Sequence, residues 1–232
     1  MQQICLVGGD ARMDYAACAL EAAGYTVARI APDEIAQAKA CGSLIVGGGL
    51  PAGSGCCDYL QNEAFLYDNA RLTAEGALML LGSHTKGALF GADVGVIGMG
   101  RIAECLCLLL RAVGARVTVY ARRAEALSRA RALGAEIVRF REHLPDGVMQ
   151  HEMISKTVPH VLFGAELLAL ARHNTLLLEL ASAPGGFDRA AVAEMGLLYI
   201  NGQGLPGKYA PRAAGELIAA YVLDVLKGEI PI

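Results

Sequence analysis

No stretch of this 232-residue chain holds the roughly 20 consecutive apolar residues that a membrane-crossing helix requires, since its apolar runs are short and broken by Gly, Arg and Glu. A soluble protein is expected. The opening residues, Met1-Gln2-Gln3-Ile4, lack a basic segment ahead of an apolar run and lead straight into a strand pattern. This argues against a secretory leader and places the chain in the cytoplasm. Ordered Cys/His spacing is missing too. Seven cysteines, two of them adjacent at Cys56-Cys57, suit neither a zinc site nor, being odd in number, a disulfide framework. Reduced, mostly buried thiols and no metal are the expectation. A net charge of -3 gives no broad attraction for nucleic acid or anionic lipid. Apolar residues are plentiful, at 54% against 19% charged, which excludes disorder and suffices for one large domain or two small ones.

Short aliphatic runs closed by glycine alternate with segments of helical period, the pattern of an α/β protein with a mainly parallel sheet. Two blocks can be separated. In the first, Ile4-Cys5-Leu6-Val7 ends at Gly8-Gly9, and a helix follows with apolar Ala16, Ala19, Leu20 and Ala23 and a terminating Gly24. Strands are expected at Thr26–Ile30 and Ser43–Val46, and the Gly-rich segment from Gly47 to Cys57 reads as a loop. Thr73 then stands before a helix with Glu75 in its first turn, where a carboxylate suits the exposed amides. That helix is expected to bridge the blocks.

The second block opens with the aliphatic strand Asp93-Val94-Gly95-Val96-Ile97, which runs into Gly98-Met99-Gly100-Arg101-Ile102-Ala103 and a helix bearing Leu106, Leu109, Leu110 and Val113. Strand, glycine turn and helix in that order suit a dinucleotide. Gly98 allows a tight turn, Gly100 lets the backbone approach a pyrophosphate, and Ala103 lets the helix pack near the strand. Gly114 and a second strand, Arg116–Tyr120, complete a βαβ unit and strengthen what is otherwise a weak motif. After that strand, where an NAD site places an acid for the ribose hydroxyls, stand Arg122 and Arg123. Guanidinium groups suit a 2′-phosphate, so NADP is favoured over NAD.

Further strands are expected to end in Thr157-Val158-Pro159 and, after Thr175–Leu180, in Ala181-Ser182. Both loops lie at the carboxyl edge of the sheet, where they are placed to meet the nicotinamide side of the cofactor. Asp188 can cap the next helix, Gly196 closes it, and Leu197–Ile200 reads as the last strand. Gly202 to Pro211 is dense enough in Gly and Pro to read as a rigid loop, and the helix that follows, ending near Gly228, should return to the first block. The fold class is therefore an NAD(P)-binding Rossmann doubly wound parallel sheet with a smaller flavodoxin-like α/β N-terminal domain. Residues 1–90 form the small domain, 91–210 the Rossmann domain, and the helix at 211–228 packs on the former.

Several segments together resemble the family formed by the A component of bacterial dipicolinate synthase, found in spore-forming bacteria. They are Gly8-Gly9-Asp10-Ala11-Arg12, Asn69 to Gly76, the glycine turn, Ala121-Arg122, Thr157-Val158-Pro159, Leu180 to Gly186, and Gly204-Leu205-Pro206-Gly207 through Pro211 to Gly215. The resemblance implies NAD(P)-dependent oxidation of dihydrodipicolinate, derived from 4-hydroxy-tetrahydrodipicolinate, to dipicolinate in sporulation. It also implies a partner, the flavoprotein-like B subunit. Two departures stand out. The stretch between Val46 and Asn62 is shorter than in the family, and Lys156 occupies a position where family members carry Asn.

Dehydrogenation to an aromatic ring needs a hydride acceptor, a path for a proton and cations for two carboxylates. Glu75, and less so His84, are candidates for the proton, and Arg12, Lys156 and Lys208 for the carboxylates. Other readings stay open: a 2-hydroxyacid or shikimate-type dehydrogenase, against which the lack of a clear His/Arg/Glu set or Lys/Asp pair counts, and a non-catalytic NADP-binding subunit.

Overall fold

The computed structural model describes residues 3–51 and 55–230. Along the chain run β1 (Gln3–Val7), α1 (Ala11–Ala22), β2 (Thr26–Ile30), α2 (Ile35–Ala40), β3 (Leu44–Gly47), β4 (Cys57–Asp58) and α3 (Glu63–His84). Then come β5 (Asp93–Ile97), α4 (Arg101–Ala112), β6 (Arg116–Ala121), α5 (Ala124–Ala132), β7 (Glu136–Arg139) and β8 (Met153–Lys156). The chain continues through α6 (Ala165–Leu168), β9 (Leu176–Glu179), α7 (Arg189–Glu194), β10 (Leu198–Asn201), α8 (Leu205–Tyr209) and α9 (Pro211–Leu226). It divides into two compact units, Met1–Leu72 with Pro206–Ile232, and Thr73–Leu205.

The first unit is built on a parallel sheet of order β2-β1-β3-β4. Strand alternation sends Ile4, Leu6, Leu44 and Val46 to one face, where they meet Met13, Ala16 and Leu20 of α1 and Ile218, Val222 and Val225 of α9. Cys5, Val7 and Ile45 face the other way, against Ile35 and Ala38 of α2. The two helices on the first face come unusually close at Gly215. A Cβ built there would lie 2.5 Å from the Arg12 carbonyl oxygen and 2.9 Å from the Ala16 nitrogen.

The second unit holds six parallel strands in the order β10-β9-β8-β5-β6-β7. Counted from its own first strand this is the doubly wound 3-2-1-4-5-6 arrangement, so the fold class expected from the sequence is the one observed. Val94 and Val96 pack toward α4, α5 and the latter part of α3, while Ile97, Ile154 and Leu177 pack toward α6 and α7. Beneath the second face His151 lies against Gly95, with its ring bonded to Tyr120 Oη and Asp93 Oδ1, both at 2.8 Å.

Four sequence expectations change. The helix assigned to start after Thr73 starts at Glu63: the Asn62 side chain accepts from the Phe65 amide at 2.8 Å, and Thr73 and Glu75 sit mid-helix. The run Phe65, Ala70, Ala74, Ala77, Leu81 keeps one buried face through Thr73. Gly47 and Cys57, read as loop, belong to β3 and β4, with residues 52–54 of that segment outside the described residues, as are Met1 and Gln2. The Gly/Pro-rich segment contains the helical turns of α8, because Pro206 stands at the second helical position, where its missing N–H costs nothing. Of the seven free thiols only Cys5, Cys57 and Cys107 are buried, and Cys18 and Cys41 are exposed. No helix among the described residues is long and apolar enough to cross a membrane.

Because the atoms facing Gly215 are backbone atoms and the Tyr15 Cβ, none of which can rotate away, Gly215→Ala should destabilise the protein by about 1–3 kcal/mol. Gly147→Ala, which meets nothing within 4 Å, should not. Thermal unfolding of the two variants checks this.

Candidate nucleotide site

The turn after β5 is shaped by the absence of a side chain at residue 98. Gly98 adopts φ +98°, and its amide still donates to the Tyr120 carbonyl at 2.9 Å. A Cβ there would lie 2.7 Å from both Thr157 Oγ1 and Val158 Cγ2. The loop after β8 therefore presses directly on the turn. It is also tied to it, since Thr157 donates to the Ile97 carbonyl through its amide at 3.1 Å and its hydroxyl at 2.9 Å. Gly98, Thr157 and Val158, singled out separately in the sequence, are brought together.

Gly100 is the N-cap residue of α4, is exposed, and has open space where a Cβ would point. With no capping side chain from Gly100, the helix start offers backbone donors and the positive end of its dipole to an anion. Ala103 is fully buried against the sheet, Met99 is buried, and Arg101 and Ile102 are half-buried in the first turn. A dinucleotide pyrophosphate fits this cradle, which is open at Gly100 and closed at Gly98. Arg129 of α5, which sequence reasoning missed, braces it by donating to the Met99 carbonyl at 2.8 Å and approaching Glu104 at 3.6 Å. A single arginine on an exposed helical stretch carries no signal that would have revealed this.

At the end of β6, Arg122 and Arg123 are both exposed, and Arg139 at the end of β7 donates to the Arg122 carbonyl at 3.2 Å. At the ends of β8 and β9 the picture differs from expectation. Lys156 faces no open space: it is fully buried, and its ammonium donates to the carbonyls of Val158 and His160, the latter at 2.7 Å. Burial holds its pKa down to about 8, with Glu179 pulling the other way. A substrate carboxylate does not reach an ammonium placed there. Ala181 is buried, with its amide bonded to Glu179 Oε1 at 3.1 Å and its carbonyl to Gln203 Nε2 at 2.7 Å, whereas Ser182 and Pro159 are exposed.

Of the remaining candidates, Glu75 is exposed on α3, one residue before Gly76, where the Leu205 side chain closes to 3.1 Å of a built Cβ. His84 ends the same helix with Nδ1 3.0 Å from the Leu80 carbonyl. In the first unit Arg12 forms a two-point pair with Asp10, at 2.9 and 2.7 Å, and holds that carboxyl below its ordinary pKa. A Cβ built at Gly207 would lie 3.4 Å from Arg12 Nε, and Lys208 beside it is exposed.

The two glycines should respond differently to a methyl group. Gly98→Ala meets both a left-handed backbone and two occupied positions, and should lower thermal stability by about 1 kcal/mol or more. Gly100→Ala should leave the melting temperature within a degree or two, roughly the effect of a few tenths of a kcal/mol, while weakening dinucleotide binding. Calorimetric titration and thermal melts of both variants test the contrast.

Comparison with known proteins agrees with this geometry. The dipicolinate synthase A component of Bacillus subtilis (strain 168) is 34% identical over 163 residues, 70% of this chain and 54% of the relative, so the match spans about half the length of that curated protein. The crystal structure of the same component from Bacillus subtilis superposes with a TM-score of 0.82 at 24% identity, covering 98% of this chain and 96% of that one. The crystal structure of its counterpart from Bacillus halodurans gives 0.82 at 21%, covering 97% of each chain. These two likenesses establish the shared fold. Residues 70–194, which hold the cradle and both loops, match the family described as D-isomer specific 2-hydroxyacid dehydrogenase, NAD binding domain. The chain therefore belongs to this family of NAD-binding dehydrogenase domains, and the dipicolinate synthase A component is among the relatives it resembles.

Proposed function

We propose that the protein is the nucleotide-binding subunit of a dipicolinate synthase-like oxidoreductase, which oxidises dihydrodipicolinate to dipicolinate with NADP as acceptor. The observation carrying this reading is the 34% identity with the dipicolinate synthase A component, in a chain whose cradle at Gly98 and Gly100 suits a pyrophosphate. The bound nicotinamide supplies the hydride acceptor, and one proton leaves the substrate as its ring becomes aromatic. Gly98, Met99, Gly100, Arg101 and Ile102 would bind the pyrophosphate, and the loops at Thr157-Val158-Pro159 and Ala181-Ser182 would orient the nicotinamide half. Glu75 is the proton acceptor in this reading, and Arg12 and Lys208 are the cations for the two carboxylates. Aromatisation is strongly downhill, so orientation carries much of the catalysis and a modest base is enough. The expected partner is a flavoprotein-like B subunit.

NADP rather than NAD is favoured by Arg122 and Arg123, which stand exposed where an acid would otherwise meet ribose hydroxyls. A second reading, oxidation of a 2-hydroxy acid, is favoured by the family match alone.

The reaction test is NADP reduction by the purified chain, with and without a B subunit, on freshly generated 4-hydroxy-tetrahydrodipicolinate, with dipicolinate followed by its ultraviolet absorbance. Product that depends on Gly100 and Glu75 upholds the reading. Turnover of D-2-hydroxy acids without dipicolinate formation would transfer it to the second one. In parallel, the Arg122→Ala/Arg123→Ala variant should lose tenfold or more in NADPH affinity, about 1.4 kcal/mol, and little in NADH affinity. Equal losses for both nucleotides would remove the case for NADP.

A further inference from the structure

Two oppositely charged side chains are buried at the ends of neighbouring central strands. Lys156 closes β8 and Glu179 closes β9, the two are register partners across the parallel ladder, and their exposures are 0% and 1%. Each turns back onto the loop that follows its own strand. The Lys156 ammonium collects the carbonyls of Val158 and His160, and the Glu179 carboxylate collects the amides of Ala181 and Gly186. The Gly185-Gly186 step makes room for both tips. A Cβ at Gly185, which has φ +86°, would lie 3.0 Å from Glu179 Oε2, and one at Gly186 would lie 1.8 Å from Lys156 Nζ. The chemistry is matched to need, with a cation meeting acceptors in one loop and an anion meeting donors in the other. Neither charge would be tolerated there alone, because an unpaired buried ion is far more costly than a compensated pair.

These loops have a defined place relative to the cradle. A dinucleotide whose pyrophosphate lies at the start of α4 directs its adenosine toward the end of β6, where the ribose is read. Its other half then extends to the opposite side of β5, over β8 and β9. We propose that Lys156 and Glu179 are a matched pair of positioning residues that together set the two loops receiving the nicotinamide half of the dinucleotide. They act through the backbone of residues 157–160 and 181–186 and touch neither nucleotide nor substrate. The inference rests on the nucleotide-binding reading above for its ligand, but not for the loop geometry itself.

The test uses the full chain carrying Lys156→Met, Glu179→Gln, or both. Each single change strands one buried charge and should lower the melting temperature clearly, whereas the double variant should melt nearer the unaltered protein than either single variant does. Titration of the double variant should show NADPH binding at least tenfold weaker, with 2′-phospho-ADP-ribose, which lacks the nicotinamide ring, changed by less than twofold. NADPH affinity retained in full would overturn the proposal, and so would an equal loss of both ligands, which a general weakening of the fold would produce. Hydrogen exchange gives a readout that needs no variant. The amide of Gly186 in the unaltered protein should exchange as slowly as those within β9, and exchange at open-loop rates would overturn the pairing. If the unaltered protein binds neither ligand, the nucleotide reading falls, and these exchange rates alone decide whether the pair sets the loops.

Discussion

The second unit depends on one short contact, the closure of the loop after β8 onto the bare backbone of Gly98. The Ile97 carbonyl accepts twice from Thr157, and Val158 occupies the volume that any side chain at residue 98 would need. This fixes the end of β5, the start of α4 and the first residues past β8 with respect to one another. Strand order reverses at this point, since the chain leaves β5 toward β6 and β7 and returns on the other side as β8. A crevice between diverging loops is the geometric result, and the uncapped start of α4 gives it a preference for anions. The pressure on Gly98 and the openness at Gly100 are two sides of one design, in which one glycine is needed for packing and the other for access.

Charge is used in two separate ways around this crevice. Lys156 and Glu179 are buried and committed to backbone groups, and the exposed Arg129 also holds one. Arg122 and Arg123 stand in solvent at the end of β6. Burial separates these roles, because a charge withdrawn from water must be satisfied by fixed protein groups, while an exposed one keeps its hydration until a ligand displaces it.

Much of the fold was legible in the sequence because its strands are short aliphatic runs ending at glycine. The strands at Thr26–Ile30 and Asp93–Ile97 fall where the pattern puts them, and Gly24, Gly114 and Gly196, all at positive φ, close helices as anticipated. The failures share a cause. Asn62 caps α3 and Pro206 sits inside α8, yet local composition favours Thr73 as a cap and a Gly/Pro segment as a loop, since the buried stripe that decides the matter runs over a longer distance. The two-residue strand β4 is too short for any alternation to show, and β7 only half-buries its two central residues. Lys156 was visible as an unusual residue but not as a buried one. Its surroundings come from His160, Glu179 and Gly186, which only folding brings near.

The first unit is assembled from two separated segments of the chain, with α1 packed on α9 across a separation of about two hundred residues and Gly215 seated on the backbone of Arg12. As the chain leaves the ribosome, β1, α1 and their neighbours must wait with one face uncovered, while the continuous second unit already has all of its own strands. The Rossmann unit therefore completes first, and α9 acts as the closing step that covers Met13, Ala16 and Leu20. A nascent chain stalled before residue 211 would hold a finished nucleotide domain and a sheet with an unprotected apolar face, which makes α9 the point where synthesis and quality control meet.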